Sequence, residues 1–376
     1  MVYVVLLVTG LFVTAIDEDV AERFRLGKRN GRDCLITPAG DPFLSLGVNH
    51  IQNIMQGSFA GDKQRACREA HKNLTKWGFN TAGYGTPDPL CRMMPYLSPM
   101  YLTKNANYLS DTMFQYPDVF DPIVQRKIKE SIQYAVGKQR GNPNLIGYYW
   151  TDTPQWDLKR ARRKRGTDWV SAIRALPSSA PGKQRYQKFL AEEGASDEAF
   201  LRLIARELYR VLGEETRRLA PEALIFGERY LVGDHPDCVI EEALPYIDVL
   251  SIQPGGAEFD AAYFDELRSK FKKPIMLCDH QSSFPTPKYP KTMWQQMESE
   301  EAAGQAYAQF LKAALSKPYV IGFQRCQYID RFEERVGTLK QGVLKEDGTP
   351  YEKLVRHIAE ANRDAVKRFA QSTSER

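Results

Sequence analysis

Residues 145–157 read LIGYYWTDTPQWD. Leu145 to Trp150 is apolar and aromatic, the pattern of a buried strand. Thr151, Asp152, Thr153 and Pro154 follow, where such a strand ends and a loop opens. An acid between two hydroxyls, with Trp150 and Trp156 on either side, is what a saccharide site needs. The carboxylate handles protons or developing charge, and the aromatic faces take sugar rings. Asp, Thr and Pro are also ordinary turn and helix-start residues, so the motif alone leaves both readings open. Two more acids stand at the ends of apolar runs, Glu228 in ALIFGERY and Asp279 in KPIMLCDHQSSF.

Those acids gain meaning from the elements that carry them. Apolar runs at 42–49, 78–85, 94–102, 144–152, 223–230, 247–254, 273–280 and 319–330 read as eight strands. Helical patterns lie between most of them, at about 62–76, 121–139, 196–221, 258–271 and 299–316, with a closing helix at 349–369. Asp121-Pro122 and Ser196 supply helix starts. Before the first strand, FRLGKRNGRDCLITPAGD reads as a β-hairpin turning at Asn30-Gly31. A long insertion spans 155–195. No glycine-rich phosphate fingerprint follows the first strand, which argues against a dinucleotide-binding fold. Eight alternations of β and α predict a (β/α)₈ barrel over residues 21–376 as one domain, preceded by the short hairpin.

In such barrels the chemistry gathers at the C-terminal ends of the strands. That rule turns the strands into candidates: Asn49 and His50, then Tyr84, Asp152, Glu228 with Arg229 and Tyr230, Gln253, Asp279 with His280 and Gln281, and Gln324 and Gln327. With Trp150 and Trp156 the set is rich in amides, acids and aromatics. Such a set suits a carbohydrate, whose hydroxyls need paired donors and acceptors. It suits a metal poorly, because His50 and His280 are the nearby imidazoles and no H-x-H or H-x-x-x-H spacing joins them. Neither metal nor cofactor is expected.

Composition narrows the class further. The chain has 376 residues, 43% hydrophobic, with a net charge of +5, so it is globular and its charge does not call for nucleic acid. One run, KRARRKR at Lys159–Arg165, holds six cations in seven positions and is either a solvated face or a dock for an anionic partner. The six cysteines are scattered without a C-x-x-C pair, which points to free buried thiols. Residues 1–20 carry an apolar run, Val2–Ala15, that is short for a bilayer span. It reads as a weak signal peptide without a basic n-region, with a mis-called start or a first strand as alternatives, so secretion or a periplasmic location is the expectation and a cytoplasmic one the alternative.

The blocks NGRDCLITPAGDPFLSLGVNHI, WGFNTAGYG, YPDVFDP, NPNLIGYYWTDTPQW, KPIMLCDHQSSF, GFQRCQYIDRF and GTLKQGVLKEDGTPYEKLV together resemble the clan of retaining (β/α)₈ glycoside hydrolases. Within it they are similar to the β-agarase and β-galactosidase-like enzymes, from about Phe24 to Asn362. The resemblance implies a carbohydrate substrate of galactan type, with agar, porphyran and carrageenan as candidates and the basic run leaning toward a sulfated or acidic chain. It also exposes a departure. Where the clan carries Asn-Glu after strand four, with Glu as acid/base, this chain has Asp152-Thr153; where the clan's nucleophile Glu stands, it has Asp279. Threonine donates no proton near neutral pH. The expectation is therefore a hydrolase using Asp152 and Asp279, one as general acid and the other as base for water, with Glu228 as a spare acid. The alternatives are an inactive barrel that binds an acidic glycan, and a lyase using Tyr230 or His280.

Overall fold

The computed structural model describes residues 23–55, 61–100, 102, 116–194, 196–333 and 337–374. The expected signal segment at 1–20 lies outside them. Strands β1 (Arg25–Arg29) and β2 (Arg32–Ile36) form the predicted hairpin, and β3 (Pro42–Phe43) adds to β2. Asn30 and Gly31 both take positive φ, 48° and 78°, as a two-residue turn between twisted strands requires.

The barrel strands are β4 (Ser45–Val48), β5 (Thr81–Ala82), β6 (Tyr96–Pro99), β7 (Leu145–Asp152), β8 (Leu224–Leu231), β9 (Leu250–Gln253), β10 (Ile275–His280) and β11 (Val320–Arg325). They pair in parallel in chain order, and β11 closes on β4. The (β/α)₈ barrel is therefore the observed fold. The second barrel strand, β5, is two residues long, shorter than the run 78–85 suggested. The insertion at 155–195 is itself helical, with helices Leu158–Arg165, Trp169–Arg174 and Pro181–Glu192. A further helix, Asp237–Ala243, carries no long periodic pattern and was not anticipated. The last apolar run does not continue as one strand to 330; it stops at Arg325, and a hairpin of β12 (Arg331–Glu333) and β13 (Thr338–Lys340) follows.

Two apolar layers hold this together. One is the barrel interior, where Leu97, Ile146, Leu224, Phe226, Val249, Met276 and Ile321 meet Phe24 and Leu35 from the hairpin segment. The other is the larger shell between strands and helices. Period-2 alternation divides the two: Ile225 joins the shell while Leu224 and Phe226 face the interior. With its lower end filled by apolar side chains, the barrel keeps its polar residues at the other end. All six cysteines are free and buried. Among the described residues no helix is long and apolar enough to cross a membrane.

Candidate active site

Arg229 is the centre of the polar mouth. Its guanidinium is fully buried, with Nη1 3.1 Å from Asp152 Oδ1 and Nη2 2.6 Å from Asp279 Oδ1. It stacks over the Tyr84 ring at 4.2 Å. The register Asp152↔Arg229 sets the first pair, because β7 and β8 are neighbours in the barrel. The second pair arises differently. Asp279 has φ +60°, and the β10–β11 register shifts between Leu277 and His280. A left-handed residue breaks strand alternation and turns the carboxylate into the barrel mouth; non-glycine residues adopt this conformation rarely, and it clusters at functional sites. His50 and Thr153 share it, with φ +57° and +44°, so three of the strand ends are bent this way.

Amides fasten the two acids. Asn49 Nδ2 donates to Asp279 Oδ1 at 2.5 Å, while its Oδ1 accepts the Tyr84 backbone N–H at 2.8 Å. Gln253 Nε2 donates to Asp152 Oδ1 at 2.8 Å. Burial alone would raise the Asp279 carboxyl, but the Arg229 guanidinium, aided by His50, holds it well below the usual carboxylate range. Asp279 therefore stays ionised. Asp152 is the more open of the two, its side chain 30% exposed against 5%. His50 Nε2 stands 3.9 Å from Asp279 Oδ2, and burial lowers the imidazole below its ordinary value, with Lys340 adding to the effect. Gln324 lies on β11 with both amide atoms buried and without a hydrogen-bond partner among the described residues. Such a group is available to a ligand hydroxyl.

Several predicted site residues lie elsewhere. In β8 the left-handed Gly227 (φ 65°), where the β7–β8 register shifts, breaks the alternation that places Leu224 and Phe226 inside, so Arg229 faces the mouth and its neighbours Glu228 and Tyr230 face outward. There Glu228 accepts from Trp156 Nε1 at 2.7 Å and from Tyr209 OH at 2.5 Å, and Tyr209 bonds the Tyr230 hydroxyl. Burial pushes the Glu228 carboxyl up to about 7, away from the Asp152–Asp279 pair. Trp150 and Trp156 are completely buried and are not sugar platforms. Trp150 donates to Thr216 and stacks on Tyr209; Trp156 stacks on Trp169 at 4.6 Å. His280 is turned outward among Tyr307, Phe310 and Phe323. Gln281 ties Ser283 to the Gln341 backbone, and Gln327 bonds Ile329 O and Lys340 O, so both brace loops.

Half of the basic run is spent on structure, while Lys159, Arg163 and Lys164 are exposed. Arg160 pairs with Asp234, Arg162 with Asp168 and Asp197, and Arg165 donates to Gln155. Two groups near the acids escaped the sequence reading. Lys340, on β13, acts electrostatically on His50 and Asp279. The Cys326 thiol lies with His50 and Asp279 in one cluster of donor atoms. Both come from the segment after β11, whose return over the mouth has no sequence signature.

No family model and no curated protein matches the sequence. Solved structures do resemble it. An exo-β-agarase superposes with a TM-score of 0.75 at 13% identity, covering 94% of this chain and 66% of that one. BpGH50 gives 0.74 at 16% identity, covering 94% and 84%. A GH2 β-galacturonidase from Eisenbergiella tayi gives 0.59 at 13% identity, covering 91% and 54%. The chain spans 64% of the length of the agarase AgWH50C and 66% of the exo-β-agarase. At these identities the likeness is one of fold, and the shared fold is the eight-stranded parallel barrel with its surrounding helices.

Proposed function

We propose that this barrel is a glycoside hydrolase acting on a galactan-type polysaccharide or oligosaccharide, with Asp279 and Asp152 as its reacting carboxylates. The observation that carries this is their convergence on Arg229 at the C-terminal mouth, the end where barrels of this kind do their chemistry. Being ionised, Asp279 suits the role of nucleophile, base or stabiliser of an oxocarbenium-like transition state. The proton donor is then Asp152, the more exposed acid. Asn49, Gln253, Gln324 and Tyr84 supply amide and aromatic contacts for hydroxyls and ring faces. The agarases and the galacturonidase among the structural neighbours favour this substrate class. Preference for a sulfated or acidic chain draws its support from Lys340 beside the acids and from the exposed Lys159, Arg163 and Lys164 of the basic run, whose Arg160 and Arg162 are paired to protein carboxylates.

A second reading is an inactive barrel that binds glycan. Two observations favour it: both acids are tied to one guanidinium, and Thr153 stands where a carboxylic donor is expected. Incubation with a panel of neutral and sulfated galactans, read by product release and by the anomer first formed, tests the proposal. A retained anomer assigns Asp279 as nucleophile; an inverted one assigns it as base for water. Glycan binding without any product establishes the inactive reading.

A further inference from the structure

Asp279 uses its Oδ1 for Arg229 and Asn49. Its Oδ2 faces His50 Nε2 across 3.9 Å, too far for a hydrogen bond. That ring nitrogen is buried and has no hydrogen-bond partner among the described residues. Cys326, fully buried, completes a triangle in which imidazole nitrogen, carboxylate oxygen and sulfur all lie within 4.8 Å of one another. Three donors around one tetrahedral zinc-like ion stand roughly 3.4–3.6 Å apart, given metal–ligand bonds of about 2.0–2.3 Å. The observed cluster needs only small adjustments to close on an ion.

From this geometry we infer that His50, Asp279 and Cys326 form a binding site for a thiophilic divalent cation, of which Zn²⁺ is the representative. The ligand set is one imidazole, one carboxylate oxygen and one thiolate, leaving a fourth position for water or a ligand. On binding, the Cys326 S–H bond breaks, a metal–sulfur bond forms and the proton passes to solvent; no electrons are exchanged. Asp152 and Asp279 offset the charge of Arg229, so Lys340 is the cation that opposes the ion. Soft sulfur ligation selects zinc-like ions over Mg²⁺ or Ca²⁺, which need oxygen shells. The site shares Asp279 with the hydrolase proposal, but its readout is a metal spectrum, so the two can fail separately.

Reduced, metal-free protein titrated with Co²⁺ alone tests it. The expected result is one equivalent bound, with visible bands and a thiolate charge-transfer band that Zn²⁺ abolishes. Cys67→Ser, altered in the distant helix Lys63–Lys76, keeps the spectrum. Cys326→Ser loses the charge-transfer band, and His50→Gln binds at least about 10-fold more weakly, the scale of losing a ligand's support. Circular dichroism verifies folding, and His50→Gln decides the matter if Cys326→Ser does not fold. Absence of these bands in the wild type, or their persistence in Cys326→Ser, overturns the site.

Discussion

Asp279 works as it does because one backbone angle is unusual. In regular strand conformation, residue 279 would point opposite to Cys278; at φ +60° its carboxylate reaches the Arg229 guanidinium in the mouth. The strain is offset by two donors on one oxygen. Arg229 is held as tightly by the acids as they are by it, and a buried charge that loses its partner is costly. Arg229→Met therefore lowers stability by about 3–5 kcal/mol, the scale of breaking a buried ion pair, and the shift in denaturant midpoint at unchanged slope measures it. A change under 1 kcal/mol would mean that solvent already screens the cluster. Both acids at the centre were legible in the sequence, since each ends an apolar run. The partner that binds them was legible as a strand-end residue, but its role was not. Two arms of one guanidinium spanning two strands is a fact of barrel curvature, which no local pattern encodes.

Elements decide which strand-end residues face the mouth. Along β8 the order Glu228, Arg229, Tyr230 places one cation inward and two groups outward, and along β10 the left-handed Asp279 sends His280 outward. The barrel rule located the right ends. It did not give the face, because breaks in β8 at Gly227 and in β10 before His280 override period 2. Trp150 and Trp156 misled for a related reason: their large rings fill the shell between β7, the helix Asp197–Leu219 and the insertion helices. Outward burial of Glu228 has a measurable consequence. Its carboxyl, ordinarily near 4.5, is raised to about 7 in the fold. Between those values the native state holds a proton that the unfolded state has lost, so stability falls as pH rises through this window. The full effect is at most roughly 3 kcal/mol. Asp330, also raised to about 7, contributes in the same direction. Glu228→Gln removes one of the two and flattens the decline, which denaturation midpoints at pH 5 and pH 8 compare. An equally steep decline in the variant contradicts this assignment. In the insertion, Asp168 caps the helix Trp169–Arg174 through the Val170 and Ser171 N–H groups and takes the Arg162 guanidinium. Asp168→Ala costs about 1–3 kcal/mol as those donors lose their acceptor.

At the scale of the whole molecule, alternation of strand and helix over the chain was enough to specify the barrel, because each strand buries both faces and each helix covers the next crossover. Not legible was the loop after β11, which returns over the mouth to bring Lys340 and Cys326 beside Asp279. The hairpin segment at the other end fills the barrel interior with Phe24 and Leu35. Leu35→Ala opens a cavity there and costs about 2–5 kcal/mol, read by thermal or denaturant unfolding, while glycan binding at the opposite end stays unchanged. Loss of binding in a folded Leu35→Ala protein would show that the two ends are coupled. The central claim, that Asp279 and Asp152 make this barrel a glycoside hydrolase, is tested most directly by product release from neutral and sulfated galactans, comparing wild type with Asp279→Asn. The account predicts oligosaccharide products from the wild type and turnover at least about 10²–10⁴-fold lower in Asp279→Asn, with glycan binding retained. Undiminished turnover in Asp279→Asn, or no product from the wild type on any galactan it binds, would contradict it.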